Sequence, residues 1–330
     1  MLYEPTTLAA TATAIAEAVQ AYGCEPAVLF RRAGLEMSDM QKPGARYPLR
    51  DVMRLWKEAR LETEDPCIGL YAARHLKPQA LHALGLSWLA SRTLLDGLHR
   101  MARYVRIANT SLRLSVSEAN DQVKLTLDTE PQVETATEAI DAAMAFVIKM
   151  CRLMTDRSFA PLLVTFMHDD NGHIEQYIDC FQAPIYFGRD ENALIFDAPT
   201  LEEPIPSGNE ALAQSIEQSA ARYLATLDPS RVRDRVREIL LTLLPSGEVS
   251  QQAVARSLHR SPSALQRSLK AEGVSYRTVL DDTRHELALK LVGEQRYSLG
   301  QIAYLLGFSD QANFSRAFKR WTGSSPREYR

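Results

Sequence analysis

A chain of 330 residues, 45% hydrophobic and 24% charged, has room for about two domains with packed cores and is too apolar to be disordered by composition. The formal net charge of −3 argues against a uniformly basic nucleic-acid coat. The charge is divided unevenly, however: residues 231–330 carry 17 Lys+Arg against 10 Asp+Glu (+7) and the remainder 21 against 31 (−10), so one end attracts phosphates and the other repels them.

In chain order, residues 12–35 place small and apolar residues at helical spacing, with breaks at Gly23 and Gly34. Helices are expected over 49–60 and 66–76, the second with Pro66 in its first turn. A helix pair follows over 79–91 and 93–108, with Leu81, Leu84, Trp88, Leu94, Leu98, Met101 and Val105 at steps of three and four. The period then changes to two. Leu112, Leu114 and Val116, then Val123, Leu125 and Leu127, alternate with mostly polar residues around Glu118–Asp121, which reads as a β-hairpin. A long helix is expected over 134–155, strands at Leu162–Met167, Ile185–Phe187 and Ala193–Phe196, and a short helix at His173–Phe181. Residues 1–205 therefore read as α+β. Pro199, Pro204, Pro206 and Gly208 punctuate a boundary. Asn209–Leu227 is an amphipathic helix suited to packing on its own domain or to a dimer contact.

The last hundred residues repeat one pattern. Leu265-Gln266-Arg267-Ser268-Leu269-Lys270 and Phe314-Ser315-Arg316-Ala317-Phe318-Lys319 each follow an alanine-containing helical stretch and a short break. Helix, break and second helix with outward Arg and Lys is the plan of a helix-turn-helix, here in tandem. Ser261-Pro262, Ser298 with Gln301, Ser309, and Ser325 with Glu328 supply helix-start signals where the repeat needs them. Phe314, Ala317, Phe318 and Trp321 form an inward stripe, as do Leu265 and Leu269. Gly307 occupies a turn that needs positive φ, and His259 stands at the matching place in the first unit. Ser275–Val292 reads as one helix of ~27 Å, close to the ~34 Å between successive major grooves on one DNA face.

The outward residues are the candidate DNA contacts: Ser263, Gln266, Arg267 and Lys270, then Gln311, Asn313, Ser315, Arg316, Lys319 and Arg320. Arg pairs with guanine and Gln or Asn with adenine through two hydrogen bonds, while Lys suits phosphates. Internal ion pairing is the alternative role for Arg267 and Arg316.

Residues 231–330 resemble the DNA-binding domain of the AraC/XylS transcription regulators. The signature is Arg284, Ala288 and Leu291, then Ile302-Ala303, Gly307-Phe308-Ser309, Phe314 to Lys319, Gly323 and Ser325-Pro326-Arg327-Glu328-Tyr329-Arg330. The resemblance implies base reading from the early part of each recognition helix, by Ser263, Gln266 and Arg267 and by Gln311, Asn313 and Arg316. The first two hundred residues are similar to the N-terminal domain of a branch of that family that includes ornithine-utilisation and virulence regulators. This likeness runs from Cys67-Ile68-Gly69-Leu70 through Ser91-Arg92-Thr93-Leu94 and Arg103-Tyr104 to Ala193-Leu194-Ile195-Phe196. It implies sensing of a small molecule, with Trp88, Tyr104, Met144 and Ile148 as candidate effector-binding residues whose spacing is equally that of a core. The label of that domain mentions arabinose, but the helical reading does not match a strand-rich sugar-binding cupin.

The expected organisation is an α+β effector-sensing or dimerisation domain (1–205), a helical linker (206–229) and an all-α domain with two helix-turn-helix units joined by a long helix (230–330). The expected partners are double-stranded promoter DNA, RNA polymerase, a small-molecule effector and a second copy of the chain; the family likeness favours an activator. The alternative for the N-terminal half is a ligand-free dimerisation or protein-interaction module, with an enzyme the least favoured. The sequence has no phosphate-cradling glycine loop, nucleophile elbow or metalloprotease helix. Cys24, Cys67, Cys151 and Cys180 form no C-x-x-C pair, and His168-Asp169-Asp170 with His173 reads as a polar loop, so no metal, cofactor or disulfide is expected. Glu4 where a secretory signal carries Lys or Arg, and the absence of a membrane-length apolar run, point to the cytoplasm.

Overall fold

The computed structural model describes residues 4–130, 133–156, 158–227, 232–244, 249–293 and 296–329. Its contacts separate two units, Met1–Ala220 and Ala221–Arg330.

In the first unit β1 (Thr6–Leu8) pairs antiparallel with β2 (Arg46–Pro48). Between them lie α1 (Thr13–Ala21) and α2 (Pro26–Ala33). The expected breaks fall at Gly23 and Gly34, both left-handed, and Gly34 ends α2. α3 (Leu49–Thr63) and α4 (Ile68–His75) follow. Pro66 lies in the turn before α4, whose cap position is Cys67, rather than in its first turn. α5 (Ala83–Leu89) starts later than the periodicity suggests. Pro78–Leu81 winds as a 3-10 turn, and His82 takes φ 51° before the α-helix begins. α6 (Leu94–Ala108) is capped by Thr93, whose side chain accepts from the Asp96 amide.

The hairpin is β3 (Leu112–Ala119) and β4 (Gln122–Thr129). Its turn is tighter than expected: Asn120 and Asp121 alone carry it, at φ 54° and 58°, the two-residue geometry that matches strand twist. α7 (Thr137–Met154), β5 (Leu163–Thr165), α8 (Ile174–Phe181), β6 (Ile185–Tyr186), β7 (Asn192–Asp197) and the short α9 (Ala198–Glu202) complete the set, and α10 (Glu210–Leu227) spans the division at Ala220. The sheet runs β3-β4-β7-β5-β6, antiparallel except between β5 and β6. Val123, Leu125 and Leu127 pack its inner face. α4 and α7 approach so closely that a Cβ on Gly69 would lie 2.2 Å from the Glu138 carbonyl oxygen; only glycine fits there.

α7 carries one acid in its apolar register. Asp141 is fully buried and receives Tyr177 Oη at 2.7 Å, with His168 Nε2 at 3.0 Å. His168 Nδ1 faces the Asp169 carbonyl at 2.9 Å. Both ring nitrogens thus face acceptors, an arrangement only the imidazolium satisfies. Burial by itself depresses the His168 pKa, but the hydrogen bond and charge of Asp141 outweigh it and hold the pKa above the ordinary value. The polar segment His168–His173 is therefore a loop tied to the core through His168 and through Asn171, whose amide donates to Tyr177 Oη at 3.2 Å. Among the described residues no group of three or more His, Cys, Asp or Glu is placed to hold a metal ion. Cys67 is buried, and burial pushes its thiol up to about 11, which leaves it unreactive.

The second unit is helical: α11 (Val232–Leu243), α12 (Gln251–Ser257), α13 (Pro262–Ala271), α14 (Tyr276–Gly293), α15 (Leu299–Leu305) and α16 (Gln311–Thr322). It has two apolar cores. The first joins α11, α12 and α13 to the early part of α14 through Val236, Leu240, Val254, Leu265, Leu269 and Val279. The second joins the end of α14 to α15 and α16 through Ala288, Val292, Ile302, Leu306, Phe314 and Phe318. α14 is unbroken over its 18 residues and shared by both cores, as expected of a rigid spacer. The start of α11 is held by Glu272, whose carboxylate accepts from the amides of Val232 (2.5 Å) and Arg233 (2.9 Å).

Candidate nucleic-acid interface and effector cavity

Each helix pair of the second unit is built by local chemistry. In the first, Ser250 caps α12 and Ser261 caps α13, with Pro262 at the first helical position. The turn between them passes through His259 at φ 53°, a left-handed residue that is not glycine. Arg260 Nη1 ties this turn to Ser268 Oγ at 2.6 Å. In the second, Ser298 and Gln301 form a reciprocal capping box at α15, and Gly307 makes the turn at φ 66°. The cap of α16 is Asp310, not the expected Ser309: Asp310 Oδ1 accepts from the Asn313 amide at 2.7 Å. Ser309 supports it, donating to Asp310 Oδ2 at 3.1 Å. A carboxylate serves better than a hydroxyl at a helix N-terminus because it also meets the helix dipole, and the helix amides hold the Asp310 carboxyl below its ordinary pKa.

Arg284, part of the sequence signature, has a structural task. From α14 it donates Nε to the Leu306 carbonyl (2.9 Å) and Nη2 to the Gly307 carbonyl (2.7 Å), and its guanidinium lies 4.5 Å from the Phe308 ring centroid. It thus stitches the spacer to the turn that aims α16. Burial draws its pKa down, with the charge of Asp281 opposing.

The candidate contacts sit where outward residues should. Ser263, Gln266, Arg267 and Lys270 are exposed on α13, opposite the buried Leu265 and Leu269. On α16, Gln311, Arg316, Lys319 and Arg320 are exposed, Asn313 and Ser315 are half-buried, and Phe314, Ala317 and Phe318 are buried; Trp321 is only half-buried. Among the described residues neither Arg267 nor Arg316 takes part in an ion pair, so the internal-bridge alternative has no support for them. Asn313 is already engaged: its amide donates to Ser309 Oγ and Asp310 Oδ2, both at 2.7 Å, and its oxygen accepts from Arg316 Nη2 at 2.6 Å. The cap, Asn313 and Arg316 form one chain that orients the guanidinium before any ligand arrives. Arg320 pairs with Asp281 of α14 at 3.3 Å. An open groove of about 580 Å³ runs between α14 and α16, and Arg277, Arg284, Arg316 and Arg320 all border it. Arg277 was not among the sequence candidates. Its only signal is a cation near the start of the spacer helix.

The first unit holds a different feature, a partly open cavity of about 140 Å³. None of Trp88, Tyr104, Met144 or Ile148 borders it; all four are buried in the core, the alternative their spacing leaves open. The walls come from α1, α3, α4, α6, α7 and the inner face of β3–β4, and alanines of α1, α4 and α7 leave the space open.

The fold and its paired helix-turn-helix units define a reader of duplex DNA. A model of the arabinose-binding N-terminal domain of AraC transcription regulators matches residues 23–205, and a helix-turn-helix domain model matches residues 254–330. The chain belongs to the AraC family of transcription regulators. The ornithine utilization regulator of Pseudomonas aeruginosa is 29% identical over 323 residues, covering 97% of this chain and 95% of its own. VirS, an HTH-type transcriptional regulator of Mycobacterium tuberculosis, is 28% identical over 315 residues (93% and 91%). The crystal structure of the transcriptional regulator CdpR from Pseudomonas aeruginosa aligns over 95% of this chain and 96% of that one, with 21% identity and a TM-score of 0.45. The family and these relatives are regulators rather than enzymes. Among the described residues no helix is long and apolar enough to cross a membrane.

Proposed function

We propose that the chain is a cytoplasmic, effector-responsive activator that binds promoter DNA as a dimer and works with RNA polymerase, with residues 1–205 sensing, 206–229 connecting and 230–330 reading DNA. The observation that carries the DNA-reading part is α14: one uninterrupted helix shared by two cores, each presenting an exposed polar helix face. Such a spacer sets two recognition helices at a separation suited to adjacent major grooves. Ser263, Gln266, Arg267, Gln311, Asn313 and Arg316 contact bases; Lys270, Ser315, Lys319 and Arg320, together with Arg277, contact phosphates.

Sensing is supported by a single helix. α6 borders the cavity with Met101, Val105 and Ala108. The same helix holds α10: Arg100 Nη2 donates to both carboxylate oxygens of Glu210 at 3.0 Å, and Arg103 Nη1 donates to Glu217 at 2.8 Å. A molecule that fills the cavity acts on the helix that clamps the connector, and it changes DNA binding to the extent that it favours one position of that clamp. The sugar in the family description and the amino acid in the relative's name are poor guides here, since among the described residues no charged side chain and few hydrogen-bonding groups line the cavity.

Arg316→Ala is expected to weaken specific binding by ~1–3 kcal/mol and relax preference at one base pair. A folded variant with unchanged affinity and unchanged site preference in a binding-site selection would remove Arg316 from the readers. Lys319→Ala is expected to weaken binding to all sequences alike and to make the salt dependence shallower by about one unit of slope. Titrations at several salt concentrations check this, and a loss confined to one operator would assign Lys319 to a base instead.

A further inference from the structure

The effector reading leaves the chemistry of the effector open, and the cavity walls narrow it. Resting on that reading, we infer that the first unit binds a small, neutral, mainly apolar molecule of about one ring in the cavity between α1, α3, α4, α6 and α7.

The walls decide the class. Aliphatic side chains and Trp56 and Phe146 make up most of the lining, and among the described residues no Asp, Glu, Lys, Arg or His borders the space. A carboxylate, phosphate, ammonium or zwitterion would enter without a counter-charge, which burial penalises heavily. Polar capacity among the described residues is limited to Thr7, Thr11, Asn109 and the indole N–H of Trp56. Two of these are occupied: Thr7 Oγ1 donates to the Ala108 carbonyl at 3.0 Å and Thr11 Oγ1 donates to the Leu8 carbonyl at 2.7 Å. Asn109 Oδ1 accepts from the Ser111 amide and hydroxyl at 2.9 and 3.0 Å. Its Nδ2 has no partner among the described residues and is, with the Trp56 indole N–H, a donor left for a ligand oxygen. Two available donors, Asn109 Nδ2 and the Trp56 indole N–H, and two partly committed hydroxyls suit a molecule with one or two polar groups. A sugar, with a hydroxyl on nearly every carbon, would leave most of them unpaired.

Size points the same way. A dry apolar cavity of about 150 Å³ accepts benzene, and this one is about 140 Å³. The space exists because small residues stand where larger ones would close it: Ala139, Ala142 and Ala143 at helical steps on α7, facing Ala72 and Ala73 of α4. All three α7 alanines stay half-buried inside a buried helix, so the space is open to a probe.

The test uses the full chain with toluene, indole, L-arabinose and L-ornithine as probes, read by thermal shift, by calorimetry and by DNA affinity. Toluene and indole are expected to raise Tm saturably, while the sugar and the amino acid leave it unchanged. Ala143→Leu, which fills the space with a good helix former, is expected to keep or raise Tm and to weaken indole binding at least about tenfold. If that substitution unfolds the chain, Ala142→Val is the milder version with the same expected loss. The proposal is overturned if neither apolar probe binds, if binding survives both filling substitutions, or if arabinose or ornithine binds in a way they abolish. The sensing reading fails separately: apolar probes that bind in the cavity but leave DNA affinity unchanged keep the ligand class and remove the regulation.

Discussion

Arg284→Ala should destabilise the second unit by about 3 kcal/mol and abolish operator binding at concentrations where the parent chain is saturated. The substitution removes two charge-assisted hydrogen bonds, to the carbonyls of Leu306 and Gly307, and a cation–π contact with Phe308. Those carbonyls flank the left-handed Gly307, so the damage falls on the turn that aims α16. Arg284→Lys should recover only part of the loss, because an ammonium cannot serve both carbonyls in fork geometry while stacking on a ring. Denaturant unfolding of the full chain, followed at Trp321 in α16, reads the stability; the same preparations give DNA affinity. A variant with parental stability and parental binding would show that the stitch does not matter.

The second large effect lies in the acidic half. His168→Ala should lower the stability of the first unit by about 3–5 kcal/mol, the usual result of stranding one member of a buried pair. Asp141 is fully buried and, among the described residues, would keep Tyr177 alone as a partner. The pair also makes stability depend on pH. His168 has its folded pKa raised above 6.5, so its contribution is complete below about 6.5 and is lost as pH rises through the folded value. Unfolding curves from pH 6 to 9 should therefore show a loss in the parent that is absent in His168→Ala. A parent whose stability rises over that range, with the variant parallel to it, would mean the imidazole is neutral in the fold.

The DNA-reading half is legible in the sequence because its determinants are local. A Ser-Pro cap, a capping box, a glycine in a turn and an apolar stripe at three and four residues each act within one or two turns of backbone, and all are found in place. His259 illustrates this: the repeat alone marks it as the left-handed residue. The exception, Ser309 for Asp310, arises because two adjacent polar residues can both cap, and only backbone geometry decides between them. The cavity is illegible for the opposite reason. It is an absence created where alanines of three helices face one another, and no window of sequence contains that meeting. Trp88, Tyr104, Met144 and Ile148 attract attention by size and spacing, which are also the properties that bury them. Asp141 carries the one sequence signal of the buried pair, a charge in the apolar register of α7 beside Ile140 and Met144.

The relation between the two halves follows from this difference. The second unit spends its sequence on caps and exposed cations, which leave little freedom in where α13 and α16 point. The first has a pocket lined by small residues and an ionic clamp on α10, Arg100 with Glu210 and Arg103 with Glu217.

Hydroxyl-radical footprinting of the full chain on an operator obtained by selection tests the central claim most directly. With α14 intact, each chain should protect two patches about 10 base pairs apart on one face of the duplex. Arg267→Ala and Arg316→Ala should each relax preference in a different patch. A single protected patch, patches on opposite faces, or both variants relaxing the same base pair would contradict the account of α14 as the spacer between two groove-reading helices.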